Sequence, residues 1–96
     1  MYYFIEKTAV EAVETRVAVI AIIVREGTQV AALNDLLHQY GPYIVGRMGV
    51  PYREKGVNII SVAMDAPGDV ISALSGKLGR LEGVIAKTVY APAGSV

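Results

Sequence analysis

The sequence has no cysteine, a single histidine and no excess of either charge. Without cysteine the chain has no disulfide, no thiolate metal ligand, no cysteine-held iron–sulfur cluster and no cysteine nucleophile. Lysine plus arginine number 9 and aspartate plus glutamate also number 9, so the basic excess that nucleic-acid binding draws on is missing. We therefore expect neither DNA nor RNA as a direct partner.

Long apolar runs are missing as well. The longest, residues 17–24, is far shorter than the ~20 residues that a membrane-spanning helix needs. The N-terminal stretch MYYFIEKTAVEAVE is acidic and lacks the basic and apolar segments of a secretory signal. These features predict a cytoplasmic protein that does not contact a membrane.

Apolar residues are nevertheless abundant, at 53 % of a chain of 96 residues. A chain of this length forms one small domain, and a small domain has much surface per residue. So high an apolar fraction predicts that part of the surface is covered by a second copy of the chain or by another partner.

The periodicity of the apolar residues predicts six elements. In chain order they are a strand at 16–24, a helix at 28–40, strands at 43–50 and 57–64 joined by a polar turn at 52–56, a helix that starts with 65–69, and a strand at 84–90. Thr28 is a suitable N-cap for the first helix, and Gly41 with Pro42 ends it. The first strand is apolar at odd and even positions alike, which is typical of a central strand covered on both faces.

The order β-α-β-β-α-β predicts a ferredoxin-like α+β sandwich, with a four-stranded antiparallel sheet and two helices on one face. The first and third strands are then central. Because the helices cover only one face, we expect another copy on the other face, in a dimer or tetramer. The domain spans residues 16–91. Residues 1–15 form an N-terminal arm, either a short helix or an extra strand, and residues 92–96 a disordered tail.

His38 is the only imidazole that could bind a metal. On the helical wheel it lies away from the apolar face of Val30, Leu33 and Leu37. A metal site needs two or three further ligands of this kind, and the sequence supplies none, so we expect no metal and no cofactor. We interpret His38 instead as a solvent-facing residue near a helix C-terminus, where positive charge is favourable. A site shared between symmetric copies is the remaining alternative.

The stretch YIVGRMGVPYREKGV (residues 43–57) combines glycines with Arg47 and Arg53. It is not a P-loop, because no GKS or GKT follows and no helix begins there. Glycine within a strand indicates a bulge or a close approach by the helix layer or a second copy. If the side chains of this strand alternate strictly, Arg47 lies on the opposite face of the strand from Ile44 and Met48. The two arginines either clamp a carboxylate or phosphate, or are solubilising charges on an edge strand.

The loop after the first strand is the other candidate ligand site. It leads into a helix N-terminus, whose free N–H groups can receive an anionic or amino-acid ligand. Its residues Arg25, Gly27 and Thr28, together with Arg47 and Arg53, form the predicted ligand-binding set. The acidic residues are scattered and no serine has a histidine partner, so we predict no catalytic residues and no enzyme.

Two stretches resemble a known family: LHQYGPYIVGRMGVPYREKGVNIISV and DAPGDVISALSGKLGRLEGV. They are similar to small regulators of the iron-only hydrogenase system, over residues 17–90. The resemblance implies an ACT-like domain, similar to the C-terminal sensing domain of nickel-responsive repressors, in anaerobic bacteria. It also implies a regulatory module that senses a small ligand. The alternative is a ligand-free adaptor that docks onto a hydrogenase maturation protein.

The nickel site and the DNA-binding segment of those repressors do not carry over. Their nickel ligands are histidines and a cysteine near the second and third strands, where this chain has Arg47 and Met48 and no cysteine. The segment of residues 1–15 is too short to form the DNA-binding ribbon-helix-helix of those repressors. ACT domains bind amino acids at subunit interfaces through the first strand-to-helix loop, which by fold analogy implies contacts from Gly27 and Thr28.

Overall fold

The structure, a computed structural model, describes residues 14–28 and 30–96. The helices and strands in this part of the chain are β1 Arg16–Arg25, α1 Val30–Gln39, β2 Ile44–Tyr52, β3 Val57–Ala66, α2 Gly68–Gly79 and β4 Val84–Tyr90. Short 3-10 turns at Gly41–Tyr43 and Arg53–Lys55 flank β2. Most of the predicted N-terminal arm, residues 1–13, lies outside the described residues.

The four strands form one antiparallel sheet in the order β2-β3-β1-β4. β1 pairs along its whole length with β3, from Arg16 opposite Ala66 to Arg25 opposite Val57. It pairs on its other side with β4. The α+β ferredoxin-like fold is therefore confirmed, and so is the central position of the first and third strands.

The side chains of β1 alternate between two environments. Its even-numbered residues from Ala18 to Val24 are buried, and its odd-numbered residues are exposed. The buried face of the sheet packs against α1 through Leu33 and Leu37, and against the apolar face of α2. The core thus lies between the sheet and the two helices. Neither helix is long and apolar enough to cross a membrane.

The opposite face of the sheet is here called the open face. The strand register assigns to it Val17, Val19, Ala21, Ile23 and Arg25 of β1, Gly46, Met48, Val50 and Tyr52 of β2, Val57, Ile59, Ser61, Ala63 and Asp65 of β3, and Ile85, Lys87 and Val89 of β4. Within the described ranges no helix covers this face. β1 is therefore apolar on both faces, as predicted, although the chain's own helices cover only one of them.

The prediction that Asp65 belongs to the start of the second helix is wrong. It is the penultimate residue of β3 and pairs with Val17. The strand continues because β1 extends far enough to pair with it, which satisfies its backbone groups in the sheet. Helix α2 begins at Gly68 after Pro67, and Asp69 is the acidic residue of its first turn.

β2 contains a bulge at Val45, where the register shifts between Ile44 and Gly46. The bulge that glycine predicted in this strand is thus present. Ile44 and Arg47 both lie opposite helix-facing residues of β3. The prediction that Arg47 faces away from Ile44 is therefore wrong, because the extra residue in the bulge shifts the alternation by one. Arg47 does lie on the face opposite to Gly46.

The two glycines of β2 are not positions of close packing against the helices. A Cβ at Gly46 would have no neighbour within 4 Å in the part of the chain that the structure describes, and one at Gly49 would meet Ile60 Cγ1 at 3.8 Å. The alternative, close approach by a second copy, stays a prediction.

Candidate functional site

Three connecting segments meet at one end of the sheet, here called the loop end. They are the loop after β1, the turn between β2 and β3, and the loop before β4. The backbone N–H of Arg25 donates to the carbonyl of Gly83 at 2.9 Å, and the N–H of Glu26 donates to the carbonyl of Gly56 at 2.7 Å. The loop after β1 is therefore fixed on both sides by the other two segments.

Both of these carbonyls belong to glycines in the left-handed backbone region, at φ 65° for Gly56 and φ 80° for Gly83. A Cβ at Gly83 would collide with the hydroxyl oxygen of Thr28, and one at Gly56 would lie 3.0 Å from Glu26 Oε1. The left-handed backbone conformation favours glycine at both positions. At Gly83 the space is needed as well, because the Thr28 side chain occupies it, whereas the Glu26 side chain beside Gly56 is flexible and can move.

A cleft of about 550 Å³ opens at the loop end between the loop after β1 and the loop before β4. One side is lined by Arg25, Gly27 and Thr28, and the other by Leu81, Glu82 and Gly83. With Glu26 and Ala32, which also line it, the cleft offers a guanidinium, a hydroxyl, two carboxylates and two apolar side chains. This set can bind a small molecule that carries both a negative and a positive group.

The five predicted ligand-binding residues do not form one site. Arg25, Gly27 and Thr28 line the cleft just described. Arg53 lies at the same end of the sheet, but it lines a neighbouring cleft of about 370 Å³ on the other side of the loop. Arg47 is separate from both.

Arg47 lines a cleft of about 510 Å³ together with Asp35 and His38 of α1. The bulge in β2 causes this, because it directs Arg47 to the helix side of the sheet. His38 is exposed and lies in the last turn of α1, as the helical wheel predicted. No group of three or more histidine, cysteine, aspartate or glutamate side chains suited to a metal ion occurs within residues 14–28 and 30–96.

The sequence pattern did not predict that the loop before β4 is part of the candidate site. In the sequence Gly83 marks only the end of a helical pattern, and Leu81 and Glu82 carry no motif. The contact of Gly83 with Thr28 joins residues far apart in the chain, and the antiparallel pairing of β1 with β4 creates it. Local pattern contains no signal for such a contact.

The open face is a second candidate site. Its large apolar side chains are well exposed, from 39 % for Val19 to 68 % for Val89, with Met48 at 65 %. Its charged residues are Arg25 at the loop end, Asp65 at the far end and Lys87 on the outer strand β4. A contiguous apolar surface of this kind marks an interaction site in soluble proteins.

Comparisons with known proteins agree with this fold. Residues 16–88 match the model of the TM1266-like family, described as "Iron-only hydrogenase system regulator, putative". The chain is similar to the solved structure of the uncharacterized protein TM1266 from Thermotoga maritima, at 38% sequence identity and a TM-score of 0.77. That similarity covers 80% of this chain and 98% of TM1266. No curated protein matches the chain.

Proposed function

The chain belongs to the TM1266-like family of iron-only hydrogenase system regulators, and we propose that it is a regulatory module which self-associates through its open face and binds a small ligand in the cleft at the loop end. Family membership confirms the resemblance found in the sequence. The description of the family as a regulator supports a role in control rather than in catalysis.

The observation that carries the proposal is the exposure of the open face. Ile23 and Ile59 lie side by side on the two central strands, Val19 lies on the same face of β1, and each is between 39 % and 45 % exposed. Burying apolar surface stabilises by about 25 cal/mol per Å², which favours covering this face and offsets the entropy lost when two copies associate. A second copy is a partner that is always present at the concentration of the protein itself.

The ligand part of the proposal rests on the cleft at the loop end. Arg25 supplies a positive group, Glu26 and Glu82 supply negative ones, and Thr28 supplies a hydroxyl. A small zwitterion such as an amino acid matches this arrangement, because its carboxylate and its ammonium group each find an opposite charge. The hydrogen bonds that fix the loop after β1 keep these groups in place before binding.

Sedimentation velocity tests self-association. We expect the wild-type chain to be dimeric or larger at micromolar concentration. Val19→Glu places a charge in the centre of the open face and should give a folded monomer, as judged by circular dichroism. Ala73→Glu places the same charge on the exposed side of α2 and should sediment like the wild type. A wild-type chain that is monomeric throughout the micromolar range contradicts this part of the proposal.

Thermal-shift titration tests ligand binding, with the amino acids, nucleotides and divalent metals as probes. A ligand at 100 times its Kd stabilises the folded chain by about 2.7 kcal/mol, so its melting temperature should rise with dose. Thr28→Val, which removes the cleft hydroxyl, should weaken that rise. Thr15→Val, at an exposed residue just before β1, is the matched control and should not. If no probe raises the melting temperature, the ligand-free adaptor is the better description.

A further inference from the structure

The strand register arranges the open face in rows that cross the sheet. The first, here called the large row, is Val50, Ile59, Ile23 and Ile85. The middle row is Met48, Ser61, Ala21 and Lys87. The small row is Gly46, Ala63, Val19 and Val89. The large row lies nearer the loop end and the small row nearer the far end. The small row consists of small residues only on β2 and β3, because Val19 and Val89 occupy its positions on β1 and β4.

When two copies pack open face to open face with their strands aligned, the two-fold axis runs either along or across the strands. An axis along the strands places each row on the same row of the partner with the strand order reversed, so that Gly46 faces Val89 and Ala63 faces Val19. An axis across the strands, through the middle row, places each strand on its own counterpart and each large row on a small row. Both arrangements place large residues opposite small ones at some positions, so shape does not choose between the two axes.

The charges at the two ends of the face favour the axis across the strands. Arg25 lies beyond the large row and Asp65 beyond the small row. An axis along the strands places each of these residues near its own counterpart, so that like charges meet. An axis across the strands places each Arg25 near the partner's Asp65. Packed sheets are about 10 Å apart, a gap that a long arginine side chain and a carboxylate can bridge together.

Lys87 is the exception. It lies in the middle row and therefore meets its own counterpart under the axis across the strands. β4 is the outer strand of the sheet, so the long lysine side chain can extend past the margin and keep its ammonium group in water. The repulsion is then weak.

From the charges at its two ends we infer that the partner on the open face is a second copy, related by a two-fold axis that runs across the strands, with Arg25 of each copy paired to Asp65 of the other. This orientation rests on the proposed self-association. The face is about 19 Å wide for four strands and about 27 Å long between the charged ends, which is near the lower size limit of a specific interface.

Sedimentation equilibrium on charge variants tests the orientation. Asp65→Asn removes both Arg25–Asp65 pairs and should weaken dimerisation about three- to tenfold. The double variant Arg25→Glu with Asp65→Lys exchanges the charges and should return to within about threefold of the wild type. Lys87→Met removes the like-charge contact and should strengthen the dimer. Asp35→Asn, on the exposed side of α1, is the control and should leave the dimer unchanged.

The alternative axis gives the opposite signs. With like charges facing each other, Asp65→Asn strengthens the dimer and the double variant recovers nothing. Either result, or an Asp65→Asn dimer as tight as the wild type, overturns the orientation while leaving self-association in place. A wild-type monomer overturns both the orientation and the proposed assembly, so the two failures can be told apart.

Discussion

Gly83 combines a structural role and a site role in one residue. Its carbonyl accepts the N–H of Arg25 where the β1 ladder ends, and its φ of 80° turns the chain from α2 into β4. The space left by its missing side chain holds the hydroxyl of Thr28. The width of the candidate cleft therefore depends on a position that makes no side-chain contact of its own.

We predict that Gly83→Ala lowers the free energy of unfolding by about 1–3 kcal/mol, measured by urea denaturation. The added Cβ meets both an unfavourable backbone conformation and the hydroxyl of Thr28. Combining the change with Thr28→Ala should recover part of the loss, because the colliding oxygen is then gone.

Gly94→Ala is the matched control. Gly94 has the same φ of 80°, but a Cβ there would have no neighbour within 4 Å in the part of the chain that the structure describes. It lies in the exposed C-terminal turn, so the loss should stay below about 1 kcal/mol. Equal losses at the two glycines would show that the contact with Thr28 is unimportant.

The strands show what sequence pattern can and cannot predict. The doubly apolar β1 was predicted as central because a strand that is apolar on both faces is typical of the interior of a sheet. The ends of β2 and β3 were each placed two residues too early, since Pro51 and Asp65 are poor strand formers. Pairing with the neighbouring strand overrides that weak preference.

The candidate site was predicted only in part, for a related reason. Arg25, Gly27 and Thr28 are close in sequence and remain together at the cleft. Arg47 was assigned to the wrong side of its strand relative to Ile44, because a bulge is a pairing defect that alternation alone does not reveal. The loop before β4 approaches the cleft through sheet pairing, which only the assembled fold specifies.

We predict losses of very different size for two neighbouring residues of β1. Ile22 is fully buried beneath the helices, so Ile22→Ala should lower the free energy of unfolding by about 2–5 kcal/mol. Ile23 is 40 % exposed on the open face, so Ile23→Ala should cost less than about 1 kcal/mol in dilute solution and mainly weaken self-association. Chemical denaturation at two protein concentrations separates the two. Equal losses in dilute solution would contradict the assignment of faces.

The molecule as a whole has one helix layer for a sheet with two apolar faces. Its buried residues, such as Ile20, Met64 and Leu74, all lie between the sheet and the helices. Within residues 14–28 and 30–96, most of the exposed large apolar side chains lie on the open face, where the high apolar fraction predicts a covered surface. Composition does not identify the partner that covers the open face, and self-association stays a prediction.

We predict that the melting temperature rises with protein concentration, by roughly 3–6 °C for each tenfold increase, because dissociation accompanies unfolding of a dimer. Differential scanning calorimetry over a hundredfold range measures this. The Val19→Glu variant should melt at one temperature throughout that range. A wild-type melting temperature independent of concentration would mean that unfolding does not involve separation of copies.

The bulge in β2 also determines where this strand can change its length. Because Val45 is the extra residue, its deletion would join Ile44 to Gly46 in regular alternation, and every other side chain would keep its face. Loss of one residue at Met48 would instead reverse the faces of all residues on one side of the cut. Insertions and deletions of a single residue among relatives should therefore collect at position 45 and avoid the rest of the strand.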